Sequence, residues 1–146
     1  MSHAQYIRPE NLDEALDHLH RNGPRTRILA GGTDLVIDLR NGDAGPDFLL
    51  DVSRLAELKG IAASMEEVSV GAGVTLSEIQ SSDVLKQHAP ALHRCSFTFA
   101  SQQIRNVATI GGNVAHCSPC GDTVPPLVIH EARAVLASQR GRREVP

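Results

Sequence analysis

Leu12, Leu16 and Leu19 recur at helical spacing behind Asn11, and Glu14 stands three residues after that asparagine, so the pattern predicts a capped helix that Gly23-Pro24 stops. Arg27-Ile-Leu-Ala30 is a short apolar run and predicts a buried strand running directly into Gly31-Gly32-Thr33-Asp34. Leu35-Val-Ile-Asp-Leu-Arg40 predicts a turn or two of helix broken at Asn41-Gly42, and Phe48-Leu-Leu-Asp-Val52 a second strand. The opening segment thus has the pattern of a compact βαβ-like unit with a glycine turn at a strand end.

The pattern then changes. Residues 61–65 and 68–72 flank Glu66-Glu67 and predict a hairpin, after which Thr75-Leu-Ser-Glu78 forms a second capping box. Residues 83–100 carry a weak helical pattern interrupted by Pro90. Residues 125–131 predict a short helix and residues 133–137 a closing strand that leads into a turn at Gly141, with Glu144-Val145-Pro146 as the start of a further strand.

Composition narrows the function classes. The 146 residues can build one ordinary domain or two small subdomains, and 41% apolar with 21% charged residues is the balance of a folded chain. A net charge of −3 gives no basic excess to neutralise nucleic-acid phosphates. No apolar run approaches membrane-spanning length and the first residues lack a secretory pattern, so a cytoplasmic location is expected. Three cysteines, Cys95, Cys117 and Cys120, make no disulfide framework and are expected as reduced thiols.

Two glycine pairs carry the candidate chemistry. In Ala30-Gly-Gly-Thr-Asp-Leu35 a strand end, two glycines and a threonine can expose successive backbone amides to an anion. Taken alone it reads better as a plain tight turn, and it is neither a Walker loop nor a G-x-G-x-x-G fingerprint. The second pair, Gly111-Gly112, follows the strand-like run Val107-Ala-Thr-Ile110 and precedes Asn113. Two such turns facing one another across a cleft would grip both phosphates of a dinucleotide, with Asn113 and Asp122 offering polar groups to hydroxyls.

Three segments in one order, Ala30-Gly-Gly-Thr-Asp-Leu35, Gln103-Ile-Arg-Asn-Val-Ala-Thr-Ile-Gly-Gly-Asn113 and Ser118-Pro-x-x-Asp122-x-x-Pro125, make the chain resemble the FAD-binding subunit or domain of the molybdenum hydroxylases. That family includes xanthine dehydrogenases, aldehyde oxidases and the medium subunit of carbon monoxide dehydrogenase, and the resemblance runs over essentially the whole chain. It implies an α+β fold in which FAD lies between a βαβ-like N-terminal subdomain, residues 1–53, and a second subdomain with an antiparallel sheet, residues 54–146, incomplete at its C-terminal end. Leu29, Ala30, Gly31, Gly32, Thr33, Asp34 and Leu35 would wrap the pyrophosphate, and Thr109, Ile110, Gly111, Gly112 and Asn113 would supply the second turn. Ser118 and Asp122 would hold ribityl or ribose hydroxyls, and Phe99 with Ala100 would approach the isoalloxazine ring. From the residues alone Phe99 is equally a core side chain.

The resemblance further implies an oxidoreductase subunit with no catalytic acid or base of its own, passing electrons from iron–sulfur clusters through FAD to an acceptor such as NAD. Its expected partners are a molybdopterin-binding large subunit and a 2Fe-2S small subunit; either a companion chain supplies the missing C-terminal part, or the chain is a truncated subunit whose FAD affinity is reduced. A flavin-free scaffold or nucleotide-binding module that keeps the fold is the alternative. Cys117-Ser-Pro-Cys120 beside His116, with Cys95 or His130 to complete four ligands, has the spacing of half a metal site, but small, partly buried residues are the favoured reading and no metal is expected. His3, His18, His20, His88 and His93 are scattered and expected to be solvated.

Overall fold

The computed structural model describes residues 4–41 and 45–146. Gly42 of the expected helix break and His3 lie outside the described residues. The chain divides into two compact units, residues 1–57 together with 133–146, and residues 58–132. The C-terminal hairpin thus clusters with the first unit, whereas the sequence grouping carries it with residues 54–132.

The first unit is built on three parallel strands, β1 (Gln5–Ile7), β2 (Thr26–Leu29) and β3 (Phe48–Asp51), in the order β1-β3-β2. Leu50 at its centre pairs with Ile7 on one side and Ile28 on the other and is fully buried. Helix α1 (Leu12–Asn22) links β1 to β2, and Asn11 caps it by accepting the Glu14 amide at 2.9 Å. Gly23 keeps a right-handed helical conformation, so the chain continues through one 3-10 turn, Gly23–Arg25, before β2 begins. Helix α2 (Leu35–Arg40) links β2 to β3.

Two expectations change here. The strand at residues 27–30 lies at the sheet edge with Ile28 52% exposed, because β3 occupies the central place. The three-residue β1 carries too few positions to show an alternation and was not foreseen. The unit closes with a hairpin of β6 (Ala134–Ser138) and β7 (Gly141–Val145), turned at Gly141 with φ +115°. Glu144 and Val145 do lie in a further strand, β7, which starts earlier than expected, at Gly141, and pairs them back onto Val135 and Ala134. Gln139 hydrogen-bonds Asp17 of α1.

The second unit starts with the expected antiparallel hairpin, β4 (Ile61–Ala63) and β5 (Val68–Val70). Six short helices follow: α3 (Leu76–Ser81), α4 (Asp83–His88), α5 (Pro90–Thr98), α6 (Gln102–Arg105), α7 (Ile110–His116) and α8 (Val124–Ile129). Thr75 and Glu78 form the full capping box, with the Thr75 amide donating to Glu78 Oε2 at 2.7 Å and the Glu78 amide to Thr75 Oγ1 at 3.2 Å. Pro90 sits in the first turn of α5, where its missing N–H costs no helical bond, so it divides the helical stretch in two. Val74, Leu76, Ile79, Leu85, Leu92 and Ile110 form the core.

Candidate functional site

In the first unit the segment after β2 is shaped for close approach of a ligand. Gly32 adopts φ +70°, a conformation strained for any other residue, and a Cβ there would meet Leu29 Cδ1 at 3.0 Å. Among the described residues no protein acceptor takes the amides of residues 31–35, while the Gly32 carbonyl accepts the Val36 amide at 3.1 Å. Asp34 stands at the N-cap of α2 without capping it, and its carboxylate accepts the Thr33 hydroxyl at 3.2 Å. A run of unspent amides with one left-handed residue is the backbone arrangement that binds anions. The segment leaves the carboxyl end of a parallel sheet, the edge at which such sheets carry their ligands.

Asp51 ends the neighbouring strand and pairs in register with Leu29. It is buried and accepts the Ser53 amide at 2.8 Å and the Tyr6 hydroxyl. Burial pushes its pKa up, but the hydrogen bonds from Ser53 and Tyr6 outweigh that and leave it below the ordinary aspartate value. Asp51 therefore stays an anion whose lone pairs are largely committed within the protein.

The second glycine pair is different. The Val107 to Ile110 run is not a strand: Thr109 makes a single bridge to Thr75, and Gly111 and Gly112 lie inside the first turn of α7. The reason is local, since Thr109 caps the helix by accepting the Gly112 amide at 3.1 Å. Ile110 donates to the Val74 carbonyl at 3.0 Å, Gly111 to Ala72 at 2.8 Å and Asn113 to Thr109 at 3.0 Å. All four first-turn amides are thus spent on protein acceptors. A Cβ on Gly111 would lie 2.6 Å from Ala72 Cβ and 2.7 Å from its carbonyl oxygen, so this glycine is required by packing. Thr109 and Ile110 are buried.

Asn113 is joined to the third segment. Its Oδ1 accepts the Thr123 hydroxyl at 2.6 Å and the Thr123 amide at 3.4 Å, and Thr123 is fully buried. Ser118 makes the turn before it, its hydroxyl accepting the Cys120 amide and its carbonyl the Gly121 amide. Asp122 is exposed between buried Gly121 and Thr123, with no hydrogen-bond partner for its carboxylate among the described residues. Phe99 packs half-buried against the core, whereas Phe97 is exposed and meets the His93 ring edge-on. Ala100 is exposed at φ +39°.

The cysteines and histidines sort by burial. Cys117 and Cys120 are exposed and Cys95 is half-buried; all three are free thiols. Among the described residues no group of three or more His, Cys, Asp or Glu is placed to hold a metal ion. Two histidines are not simply solvated: His18 contacts Thr26 Oγ1 at 3.2 Å and the edge of Phe48, and His93 contacts the Gln80 carbonyl at 3.1 Å. Thr123 had no assigned role in the sequence, and its tie to Asn113 spans ten residues with no local pattern to announce it.

Comparison with known proteins agrees with this architecture. A family profile described as the FAD binding domain in molybdopterin dehydrogenase matches residues 2–146. The glyceraldehyde dehydrogenase medium chain of Sulfolobus acidocaldarius is 38% identical over 140 residues, 96% of this chain and 50% of that protein. The nicotinate dehydrogenase FAD-subunit of Eubacterium barkeri is 35% identical over 147 residues, 99% of this chain and 49% of its own length. A carbon monoxide dehydrogenase structure from Hydrogenophaga pseudoflava superposes with a TM-score of 0.95 at 34% identity, covering 98% of this chain and 50% of that one. The chain thus spans about half the length of the relatives it matches, and its mixed helix and sheet fold is theirs. It belongs to the family of FAD-binding domains of molybdopterin dehydrogenases.

Proposed function

We propose that this chain is the FAD-holding part of an electron-transfer subunit in a molybdenum hydroxylase complex. The observation that carries the reading is the set of unspent amides at residues 31–35 around Gly32 at φ +70°. Those amides, with the Thr33 hydroxyl, hold the pyrophosphate, and Leu29 and Ala30 lead the chain into that turn. The carboxyl groups of Asp34 and Asp122 suit sugar hydroxyls, which donate to carboxyl oxygens, in preference to phosphates, which are acceptors themselves. Asn113 and Ser118 keep the Asp122 loop in place. Phe99 and Ala100 are assigned to the ring system, while Thr109, Ile110, Gly111 and Gly112 shape the neighbouring backbone through packing and capping.

When bound, FAD supplies a redox centre that takes electrons from iron–sulfur clusters and passes them to an acceptor such as NAD. This chain's residues bind and orient; none is assigned as a catalytic acid or base. The partners that fit are a molybdopterin-binding large subunit and a 2Fe-2S small subunit. The two-subdomain FAD fold, with residues 1–53 and 54–146 as its subdomains save that the hairpin 133–146 goes with the first, and a cytoplasmic location belong to the same proposal. Among the described residues no helix is long and apolar enough to cross a membrane.

The spent amides of Gly111 and Gly112 favour the second reading, a flavin-free scaffold or nucleotide-binding module. Purified chain mixed with FAD and passed over a desalting column separates the two. Co-elution of flavin absorbance in a ratio approaching one per chain supports the FAD reading, and colourless protein after incubation with excess FAD supports the scaffold.

A further inference from the structure

We infer that Arg105 is a positioning residue that locks the Phe99-Ala100 turn in a left-handed conformation and so turns two backbone amides outward as donors to FAD. The second half of this statement rests on the FAD-binding reading. The guanidinium Nη1 donates to two consecutive carbonyls, Phe99 O at 2.7 Å and Ala100 O at 2.8 Å, and Nη2 donates to Gln102 Oε1 at 3.0 Å. Among the described residues Arg105 has no carboxylate partner, so its charge is directed at these carbonyls.

Between the two carbonyls drawn onto this cation stands Ala100 at φ +39°, a conformation that is strained for a residue with a Cβ. Such a conformation persists only where the surroundings hold it, and it concentrates at ligand-binding turns. The hold is extended by Gln102 Nε2, which donates to Ser77 Oγ at 3.0 Å and Asn106 Oδ1 at 2.8 Å, tying the turn to α3.

The consequence follows from peptide geometry. No peptide bond among the described residues is cis, so each N–H points opposite to the carbonyl of its own peptide group. With Phe99 O and Ala100 O turned toward Arg105, the amides of Ala100 and Ser101 face away from it. Among the described residues neither amide has a protein acceptor. Two successive outward amides about a left-handed residue form a small donor pair for a phosphate or ring carbonyl oxygen.

The test replaces Arg105 and then relieves the strain it holds. Arg105→Met should weaken FAD binding about tenfold, the scale of one strained residue's conformational cost, with helical circular dichroism retained. Adding Ala100→Gly should restore most of the affinity, because glycine takes positive φ without the clamp. If Arg105→Met does not fold, Arg105→Gln serves in its place, since its shorter, neutral side chain keeps a polar end but cannot carry the cation to both carbonyls. Unchanged affinity in the Arg105 variant, or no recovery in the double variant, overturns the inference. In FAD-free protein the strong intraresidue amide–Hα NOE of a left-handed Ala100 should weaken in Arg105→Met; an unchanged NOE also overturns it. Failure of the parent chain to take up FAD refutes the proposed function and the donor role, and leaves the NOE to decide the clamp.

Discussion

Asn113 Oδ1 receives both the hydroxyl and the amide of Thr123, at 2.6 and 3.4 Å, so one side chain on α7 holds the loop that presents Asp122. The Thr123 side chain is wholly removed from solvent, and its hydroxyl has this single acceptor among the described residues. Replacing Asn113 with Ala leaves that hydroxyl buried and unpaired, a loss of about 1–3 kcal/mol. Urea unfolding of Asn113→Ala should show the loss, and a Thr123→Val change in the same background should recover part of it.

Gly111 is explained by packing and not by an open amide. Gly111→Ala should destabilise the FAD-free protein by about 1–3 kcal/mol, because the new Cβ overlaps Ala72 on both its side chain and its carbonyl. Gly112→Ala meets only the Thr109 hydroxyl, at 2.9 Å, and should cost less. Denaturant midpoints measured without flavin order the two.

The Thr75–Glu78 box contributes a pH-dependent part of the stability. Hydrogen bonds from the Thr75 hydroxyl and amide hold the Glu78 carboxyl below its ordinary value of 4.5. A carboxylate with a lowered folded pKa stabilises fully above the unfolded value, and that contribution is lost as pH falls from about 4.5 through the folded value. Glu78→Gln should flatten the acid limb of the stability profile there, and Thr75→Ala should lower stability at pH 7 by about 1 kcal/mol.

Burial, and secondarily the negative charge of Asp122, pushes the Cys95 thiol up to about 11. At pH 8 only about one molecule in a thousand then carries the reactive thiolate. Iodoacetamide at that pH should label exposed Cys117 and Cys120 well ahead of Cys95, read by peptide mass spectrometry. Asp122→Asn should speed Cys95 labelling modestly.

What the sequence made legible was local. Asn11 with Glu14 and Thr75 with Glu78 could be read because a cap and its partner lie within one helical turn: Thr75–Glu78 forms the full box, while Asn11 caps α1 and the Glu14 carboxylate accepts the Glu10 amide instead of that of Asn11. The β4–β5 hairpin announced itself through two apolar runs around a charged pair. The two glycine pairs look alike on paper, yet Thr109 capping turns Gly111-Gly112 into a helix start while Gly31-Gly32 stays open, a difference set by side-chain geometry and tertiary contact with Ala72. The Asn113–Thr123 tie and the Arg105 fork were illegible for the same reason: no periodicity encodes which carbonyl a side chain reaches.

Residues 31–35 are the centre of the account, and backbone NMR of labelled chain during titration tests them most directly. On adding FAD the amide resonances of residues 31–35 should shift strongly and those of Gly111 and Gly112 only slightly, while riboflavin, which lacks the pyrophosphate, should leave residues 31–35 in place. FAD that binds without moving residues 31–35, or that moves Gly111 and Gly112 instead, would contradict the assignment.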